Sequence, residues 1–206
     1  MQISTIFWDF DGVILNSASV KEYGFKKIFD EFDKNFVNRL LDYHYLNGGL
    51  SRYAKIRYFY NNILGIDVSV EKVQELADKF SSIVKVELTS KKYLINETVK
   101  FIEKNYKKYN FHIVSGSDEK ELNYLCKKHD LTKYFKTIDG SPAFKNELVK
   151  NILKKYNYSH IECILIGDSI NDYQAANENE IKFYGYNNEC VKELDGYIDS
   201  FGDFEI

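Results

Sequence analysis

Two carboxylates stand close together, directly after an apolar segment near the start of the chain. Residues 3–8 are mostly apolar and give way to Asp9-Phe10-Asp11-Gly12, a pattern typical of a buried strand that ends in a polar turn. In an extended chain the two aspartates would point in opposite directions. A turn at Gly12 would let both side chains face one cavity. The pattern therefore predicts a pair of acids that is available for proton transfer or cation binding.

Three further polar clusters follow apolar segments later in the chain. They are Ser115-Gly116-Ser117, the loop that leads to Lys145, and Gly167-Asp168-Ser169 with Asp172 behind it. Each cluster alone is a weak signal, because Asp, Ser and Gly are also common turn residues. In an open parallel sheet, however, ligands bind just beyond the carboxyl ends of the strands. Four polar clusters at one such edge predict a functional site.

Phosphoryl transfer is the chemistry that these clusters favour. It depends on charge neutralisation and positioning more than on unusual functional groups. Asp9, Asp11 and Asp168 would repel one another without a cation, and their oxygens are the ligands that Mg²⁺ prefers. The sequence therefore predicts a magnesium site.

The other two clusters are suited to holding an anion. Ser115 and the amides of Gly116 and Ser117 are expected at a helix N-terminus, where they could bind phosphate oxygens. Lys145 is expected near the start of another helix, where the helix dipole disfavours a cation. A nearby anion would remove that conflict.

The elements that must position these residues alternate along the chain. Apolar segments at 3–8, 111–114, 136–138, 163–166 and 181–184 predict strands separated by helices, with 181–184 as the last parallel strand and a weakly patterned tail after residue 189. Such alternation predicts a parallel sheet with right-handed crossovers. Residues 19–85 carry the signals of four helices and no strand, which is too long for a crossover. We therefore predict an α/β fold, with a Rossmann-like, doubly wound core (1–16 and 88–206) and an inserted all-helical domain (17–87).

Composition excludes several classes of protein. The 206 residues are 44% hydrophobic and 29% charged, which indicates a globular rather than a disordered chain. The net charge of −3 offers no broad basic field, so no nucleic-acid partner is expected. No apolar run is long enough for a membrane span, and no signal peptide is visible. Three widely spaced cysteines lack zinc-site spacing and fit a reduced, cytoplasmic compartment. A monomer or weak dimer is expected.

Taken together, the motifs resemble those of the haloacid dehalogenase superfamily, of the phosphoglycolate phosphatase and beta-phosphoglucomutase type with a helical cap inserted after the first strand. The resemblance covers residues 3–186. Its four motifs are Asp9-Phe10-Asp11-Gly12-Val13, Val114-Ser115-Gly116-Ser117, Lys145, and Gly167-Asp168-Ser169-Ile170-Asn171-Asp172.

The resemblance implies a role for each matching residue. Asp9 would be the nucleophile that forms an aspartyl-phosphate, and Asp11 would protonate the leaving oxygen and then activate water. Mg²⁺ would be held by Asp9, the backbone carbonyl of Asp11, and Asp168, while Asp172 would hold a metal-bound water or orient Lys145. The implied phosphate and substrate contacts are Gly12, Ser115, Gly116, Ser117 and Lys145. The implied activity is that of a Mg²⁺-dependent phosphatase for a small phosphomonoester, with a sugar phosphate as one candidate.

Some positions depart from the family pattern. The start of the cap linker has Asn16-Ser17 where an acid followed by Ser or Thr is common, and the Lys145 loop lacks the usual Lys-Pro pair, so that Lys150 is a fallback. These differences affect the hinge and the third motif rather than the acids.

The inserted domain leaves one candidate substrate contact open. Residues 47–52 resemble the cap loop of sugar-phosphate mutases, so Arg52 could reach a second anionic group on the substrate; equally, Ser51 could be an N-cap with Arg52 on a solvated first turn. Lys55 and Arg57 are predicted to be surface charges, and helical register does not decide whether Lys21 faces the cleft. Two alternatives to the phosphatase therefore remain: a phosphosugar mutase of the beta-phosphoglucomutase type and a catalytically silent binding protein.

Overall fold

A six-stranded parallel sheet forms the centre of the computed structural model, which describes residues 2–204. The strands, in the spatial order β3-β2-β1-β4-β5-β6, pair in parallel throughout. They are β1 (Thr5–Trp8), β2 (Asn110–Asp118), β3 (Thr137–Ser141), β4 (Cys163–Gly167), β5 (Lys182–Tyr186) and β6 (Gly196–Ile198). The predicted α/β fold is confirmed.

Both faces of the sheet are covered, as a doubly wound fold requires. Along β1, Ile6 and Trp8 belong to one buried apolar cluster and Phe7 belongs to another on the opposite face. β4 alternates in the same way, with Ile164 in the first cluster and Leu165 in the second. The two-residue period of a strand thus distributes an almost continuous apolar sequence between two helical layers.

The sixth strand corrects the sequence analysis, which ended the sheet at 181–184. β6 pairs in parallel with residues 184–186 of β5 and forms the edge of the sheet. Its three residues are too few to show a strand period, and only Ile198 is fully buried. Gly196 also lies against the Tyr184 ring, where an added Cβ would stand 2.7 Å from ring carbons. Tertiary packing, not local pattern, produces this strand.

The helical insert that follows β1 consists of four α-helices. They are α1 (Ala18–Ile28), α2 (Lys34–Leu46), α3 (Arg52–Tyr58) and α4 (Val70–Val84), as the apolar spacing predicts. The predicted third helix continues beyond α3 as a π-helical turn (Phe59–Leu64), which ends at Gly65 with φ 71°. Within the insert, α1 packs closely on α4. This approach needs glycine at position 24, because a Cβ there would clash with Phe80 and Val84.

The remaining helices alternate with the strands. They are α5 (Asn96–Asn105), α6 (Glu119–Lys128), α7 (Lys145–Tyr156) and α8 (Ile170–Glu178), and short 3-10 turns occur at Glu87–Thr89, Lys91–Tyr93, Thr132–Tyr134, His160–Glu162 and Glu189–Val191. The division into domains at 1–16, 17–87 and 88–206 stays a prediction. Among the described helices, none combines the length and the apolar character that a membrane crossing needs.

Candidate active site

The carboxyl ends of β1 and β4 bring the first and fourth motifs together. These strands are neighbours, and the Asp9 N–H donates a hydrogen bond to the Ile166 carbonyl at 2.9 Å. The turn after Asp9 needs glycine at position 12 for two reasons. Gly12 has φ +78°, and a Cβ there would stand 1.9 Å from Asp168 Oδ2. The glycine thus lets the β1 loop lie directly against Asp168.

Three carboxylates meet at this edge. One oxygen from each of Asp9, Asp168 and Asp172 lies within 4.8 Å of the others. Burial, followed by the charge of Asp172, raises the pKa of Asp9 to about 7. Burial and the charges of Asp9 and Asp172 also hold the pKa of Asp168 well above its usual value. Both pKa values rise because negative charges are crowded together away from water.

Lys145 lies inside this cluster at the first residue of α7. Its ammonium contacts Asp172 and donates to Asp9 Oδ1 at 2.7 Å. Burial alone would lower the pKa of Lys145, but the charges of Asp172 and Asp9 raise it. The anions expected near this helix start are therefore present, whereas the fallback Lys150 is exposed.

The donor set fits a divalent cation. One buried ammonium faces three carboxylates, of which Asp9 and Asp172 are buried and Asp168 is half-buried, and this leaves an excess of negative charge that hydrogen bonds alone do not offset. The atoms offered are carboxylate oxygens, the ligands that Mg²⁺ favours. Asp9, Asp168 and Asp172 could hold such an ion.

Asp11 is placed differently from the other predicted metal ligands. Its carboxylate accepts hydrogen bonds from Ser17 Oγ at 2.5 Å and Ser117 Oγ at 2.7 Å, and it pairs with Lys21 at 2.6 Å. Burial would raise the pKa of Asp11, but Lys21 and these hydrogen bonds lower it to about 2. This carboxylate is thus engaged by Lys21 and two serines and is not one of the clustered three, which leaves the Asp11 backbone carbonyl as the predicted ligand atom.

Lys21 is a site residue that sequence reasoning left undecided. It stands on α1 and reaches both Asp11 and Ser117 Oγ, the latter at 2.8 Å. The feature of the sequence that could have indicated this contact was the position of Lys21, one turn into the first helix after the linker. Only the way the insert packs on the core shows that this face of α1 lines the cleft.

The second motif lies on a strand rather than at the helix start that the sequence analysis expected. β2 continues through Asp118, which caps α6 by accepting a hydrogen bond from Glu121 N–H at 3.0 Å. Ser115 is buried, and its Oγ accepts from the Ser117 N–H at 3.1 Å. Gly116 faces the insert so closely that a Cβ would stand 2.2 Å from the Gly49 carbonyl oxygen. The irregular end of β2 therefore holds these three residues beside the insert.

A cavity of about 320 Å³ lies between the core and the helical insert. Its walls come from both sides, with Asp9, Asp11, Gly12, Gly116, Ser117 and Asp168 from the core and Lys21, His44, Tyr45, Leu46, Arg52 and Lys55 from the insert. A volume near the lower end of the range for small-molecule sites favours a small ligand.

Arg52 is buried, so the expectation of a solvated first turn is wrong, although Ser51 does cap α3 by accepting from the Ala54 N–H at 3.3 Å. The Arg52 guanidinium makes a bidentate pair with Glu121 at 2.8 and 2.5 Å and also contacts Ser81. Glu121 lies on α6 of the core, so this pair joins the insert to the core, and contact between Arg52 and substrate stays a prediction.

Lys55 is the clearest correction. It was predicted to be a surface charge like Arg57; Arg57 is exposed, but Lys55 is only 2% exposed. Its Nζ lies 2.9 Å from His44 Nδ1 and 3.3 Å from the Gly48 carbonyl oxygen. Lys55 stands three residues after Arg52 on the same helix, a spacing that places both on one face and was the signal available.

The fold and the site together define an α/β protein with an acidic site at the carboxyl edge of its parallel sheet, facing a helical insert. The family model for haloacid dehalogenase-like hydrolases matches residues 6–186, and the chain belongs to this family. A comparison with curated proteins found no match.

Solved structures share the fold. A haloacid dehalogenase-like hydrolase from Streptococcus pneumoniae has 18% identity and a TM-score of 0.70, over 95% of this chain and 93% of that chain. CbbY from Rhodobacter sphaeroides, in complex with xylulose-(1,5)bisphosphate, has 13% identity and a TM-score of 0.79 (98% and 96%). Beta-phosphoglucomutase from Clostridium difficile has 16% identity and a TM-score of 0.77 (100% and 94%). At these identities the likeness establishes the fold alone.

Proposed function

We propose that this protein is a Mg²⁺-dependent phosphatase that hydrolyses a small phosphomonoester through an aspartyl-phosphate on Asp9. The observation that carries the proposal is the difference in surroundings between the two acids of the first motif. Asp9 lies in the acid cluster beside Lys145, whereas Asp11 is held two residues away by Lys21 and two serines. This difference supports a nucleophilic role for Asp9 and a proton-transfer role for Asp11.

The reaction would proceed in two halves. Asp9 attacks the phosphorus, the bond to the leaving oxygen breaks, and that oxygen takes a proton from Asp11, which must be protonated in the substrate complex because the ion pair with Lys21 otherwise keeps it ionised. Asp11 then takes a proton from water, which attacks the aspartyl-phosphate, releases inorganic phosphate and restores the Asp9 carboxylate. A bound Mg²⁺, held by Asp9, the Asp11 carbonyl and Asp168, would neutralise charge on the phosphoryl group and the acids.

The other residues position these groups. Lys145 lies next to Asp9 and would contact the transferring phosphoryl group, while Asp172 orients Lys145 by the ion pair described above. Ser117, Gly116 and Ser115 stand at the end of the neighbouring strand and would bind phosphate oxygens. Closure of the helical insert over the cavity would exclude bulk water and large substrates. The proposal includes a small phosphorylated metabolite as partner, a cytoplasmic location, and a monomer or weak dimer.

A mutase of the beta-phosphoglucomutase type is the alternative within this family. It depends on a cap cation that holds a second phosphate, the role suggested for Arg52. The Arg52 guanidinium is bound by Glu121, so the structure supports the phosphatase better. Rapid phosphorylation of the protein followed by slow phosphate release would favour the mutase. The intact acid set counts against a silent binding protein.

Phosphate release from a panel of small phosphomonoesters tests the proposal. The panel includes p-nitrophenyl phosphate and sugar phosphates, each assayed with Mg²⁺ and with a chelator. We expect turnover that needs Mg²⁺ and falls by at least about 10³-fold in Asp9→Asn. The matched control is Asp67→Asn, which removes an exposed carboxylate from the helical insert. No release from any compound, or equal rates in Asp9→Asn and the control, would contradict the proposal.

A further inference from the structure

The cations at this site are paired with carboxylates, with one exception among the described residues. Each of the other cations has a carboxylate partner: Lys21 with Asp11, Lys145 with Asp9 and Asp172, and Arg52 with Glu121. Across residues 2–204, no carboxylate oxygen lies within 4.0 Å of Lys55 Nζ. Yet Lys55 is more deeply buried than the paired cations Arg52, Lys145 and Lys21. It is the cation of this site that has no carboxylate in contact, although the charges of Asp11 and Asp168 favour the charged form of its amine.

The surroundings of Lys55 hold the amine in place without neutralising it. Two neutral acceptors, His44 Nδ1 and the Gly48 carbonyl, receive two of the three N–H groups of an ammonium. Burial and the charge of Lys55 lower the pKa of His44 to about 2, so this ring is neutral and accepts at Nδ1. Because Lys55 lines the cavity, its third donor is available to a ligand there.

We propose that Lys55 is a specificity-determining residue that binds a carboxylate on the substrate, in the part of the cavity that the insert lines. This inference rests on the proposed phosphatase activity and names its substrate class: a small phosphorylated hydroxy acid. Lys55 comes from the helical insert and Asp9 from the core, and both line one cavity of about 320 Å³. A ligand whose phosphate lies against Asp9 would therefore present its other end to the insert.

Charge balance selects a carboxylate over a second phosphate. An unpaired buried ammonium is unfavourable, and one negative charge within hydrogen-bond distance neutralises it. A carboxylate brings one charge and needs few donors, which matches one lysine with one free N–H. A second phosphate brings nearly two charges, and the guanidinium that could share it is bound by Glu121.

The titration of Lys55 agrees with this assignment. Burial, followed by the charge of Lys21, lowers the pKa of Lys55 to about 7. Burial and Lys21 therefore disfavour the charged amine more than Asp11 and Asp168 favour it, and a carboxylate that contacts the amine would reverse that balance. Binding energy gained in this way depends on the anion and is absent for a neutral hydroxyl.

A matched pair of substrates tests the inference. Glycerate 3-phosphate and glycerol 3-phosphate have the same length and differ in a carboxylate against a hydroxymethyl group. We expect wild-type kcat/KM to favour the carboxylate by at least about tenfold, which corresponds to one charge-assisted hydrogen bond. Lys55→Met should bring the ratio near one, and Lys55→Arg should keep part of the preference. The matched control, Lys79→Met, removes an exposed lysine from α4 and should keep the wild-type ratio.

A binding measurement separates failure of this inference from failure of the proposed function. Calorimetric titration of both compounds into Asp9→Asn, with and without Lys55→Met, requires no turnover. Hydrolysis of p-nitrophenyl phosphate without a carboxylate preference would overturn the role of Lys55 and leave the phosphatase intact. A carboxylate preference in binding that Lys55→Met removes would support Lys55, even if no compound is hydrolysed. An equal preference in Lys55→Met and Lys79→Met would overturn the inference in either assay.

Discussion

The buried ion pair between Arg52 and Glu121 connects the helical insert to the core, so breaking it should lower stability more than any exposed charge change. We consider Glu121→Met, which keeps the approximate length of the side chain and removes both acceptor oxygens. The side chains of Arg52 and Glu121 are 4% and 2% exposed, so water cannot replace the lost partner. The guanidinium would remain in the interior without its counter-charge.

The expected magnitude follows from these contacts. The variant loses two hydrogen bonds to charged groups, at 2.8 and 2.5 Å, each worth about 1.5–3 kcal/mol. Removal of one partner from a buried ion pair typically costs about 3–5 kcal/mol. We therefore expect the free energy of unfolding to fall by about 3–5 kcal/mol, with a loss of roughly 10 °C in Tm for a chain of this size.

A double-mutant cycle separates the pair from the loss of packing. Arg52→Met and Glu121→Met are combined, and unfolding in urea is followed by circular dichroism. Because the double variant buries no unpaired charge, its loss should be at least about 2 kcal/mol smaller than the sum of the single losses. The matched control is Glu75→Met, which breaks an exposed pair with Lys72 at 3.0 Å and should cost no more than about 1 kcal/mol. A loss below about 1 kcal/mol in Glu121→Met, or additive single losses, would refute the reasoning.

Three further predictions concern the metal site, the β1 turn and a buried histidine. Mg²⁺ at one hundred times its Kd should raise the free energy of unfolding by about 2.7 kcal/mol; calorimetric scans should show this in the wild type but not in Asp168→Asn, and equal gains in both would contradict the site. Gly12→Ala, which places a Cβ 1.9 Å from Asp168 Oδ2 at φ +78°, should lower stability by at least about 2 kcal/mol in urea unfolding; a smaller loss would contradict the tight turn. Burial lowers the pKa of His112 from 6.5 to about 4, so the neutral ring stabilises the fold above pH 6.5 and this contribution is lost as the pH falls towards 4. Between pH 7 and pH 4 the wild type should lose about 3 kcal/mol more than His112→Phe, and parallel profiles would contradict this.

Much of the fold and of the candidate site could be predicted from the sequence, because the relevant signals are local. The apolar segment before Asp9 and the one before Asp168 each specify a buried strand followed by a polar turn. Parallel strands carry their carboxyl ends to one edge, so residues that are far apart in the chain must meet there. The helical period of residues 19–85 likewise indicated the insert. This general rule was enough to predict that the acids and Lys145 lie at the same edge of the sheet.

The tertiary structure alone decided which charges face one another across the cavity. Lys21 meets Ser117 across 96 positions of sequence, and Arg52 meets Glu121 across 69. Lys55 follows Arg52 in a short polar helix, where a lysine is usually a surface residue, yet packing of the insert on the core buries it. The hydrophobic periodicity of a helix or strand indicates which of its faces is buried. It does not indicate which polar group of the packed neighbour lies against that face. Pairing between charges depends on positions fixed by the whole fold, because electrostatic contacts act over a few ångströms between segments that no local pattern connects.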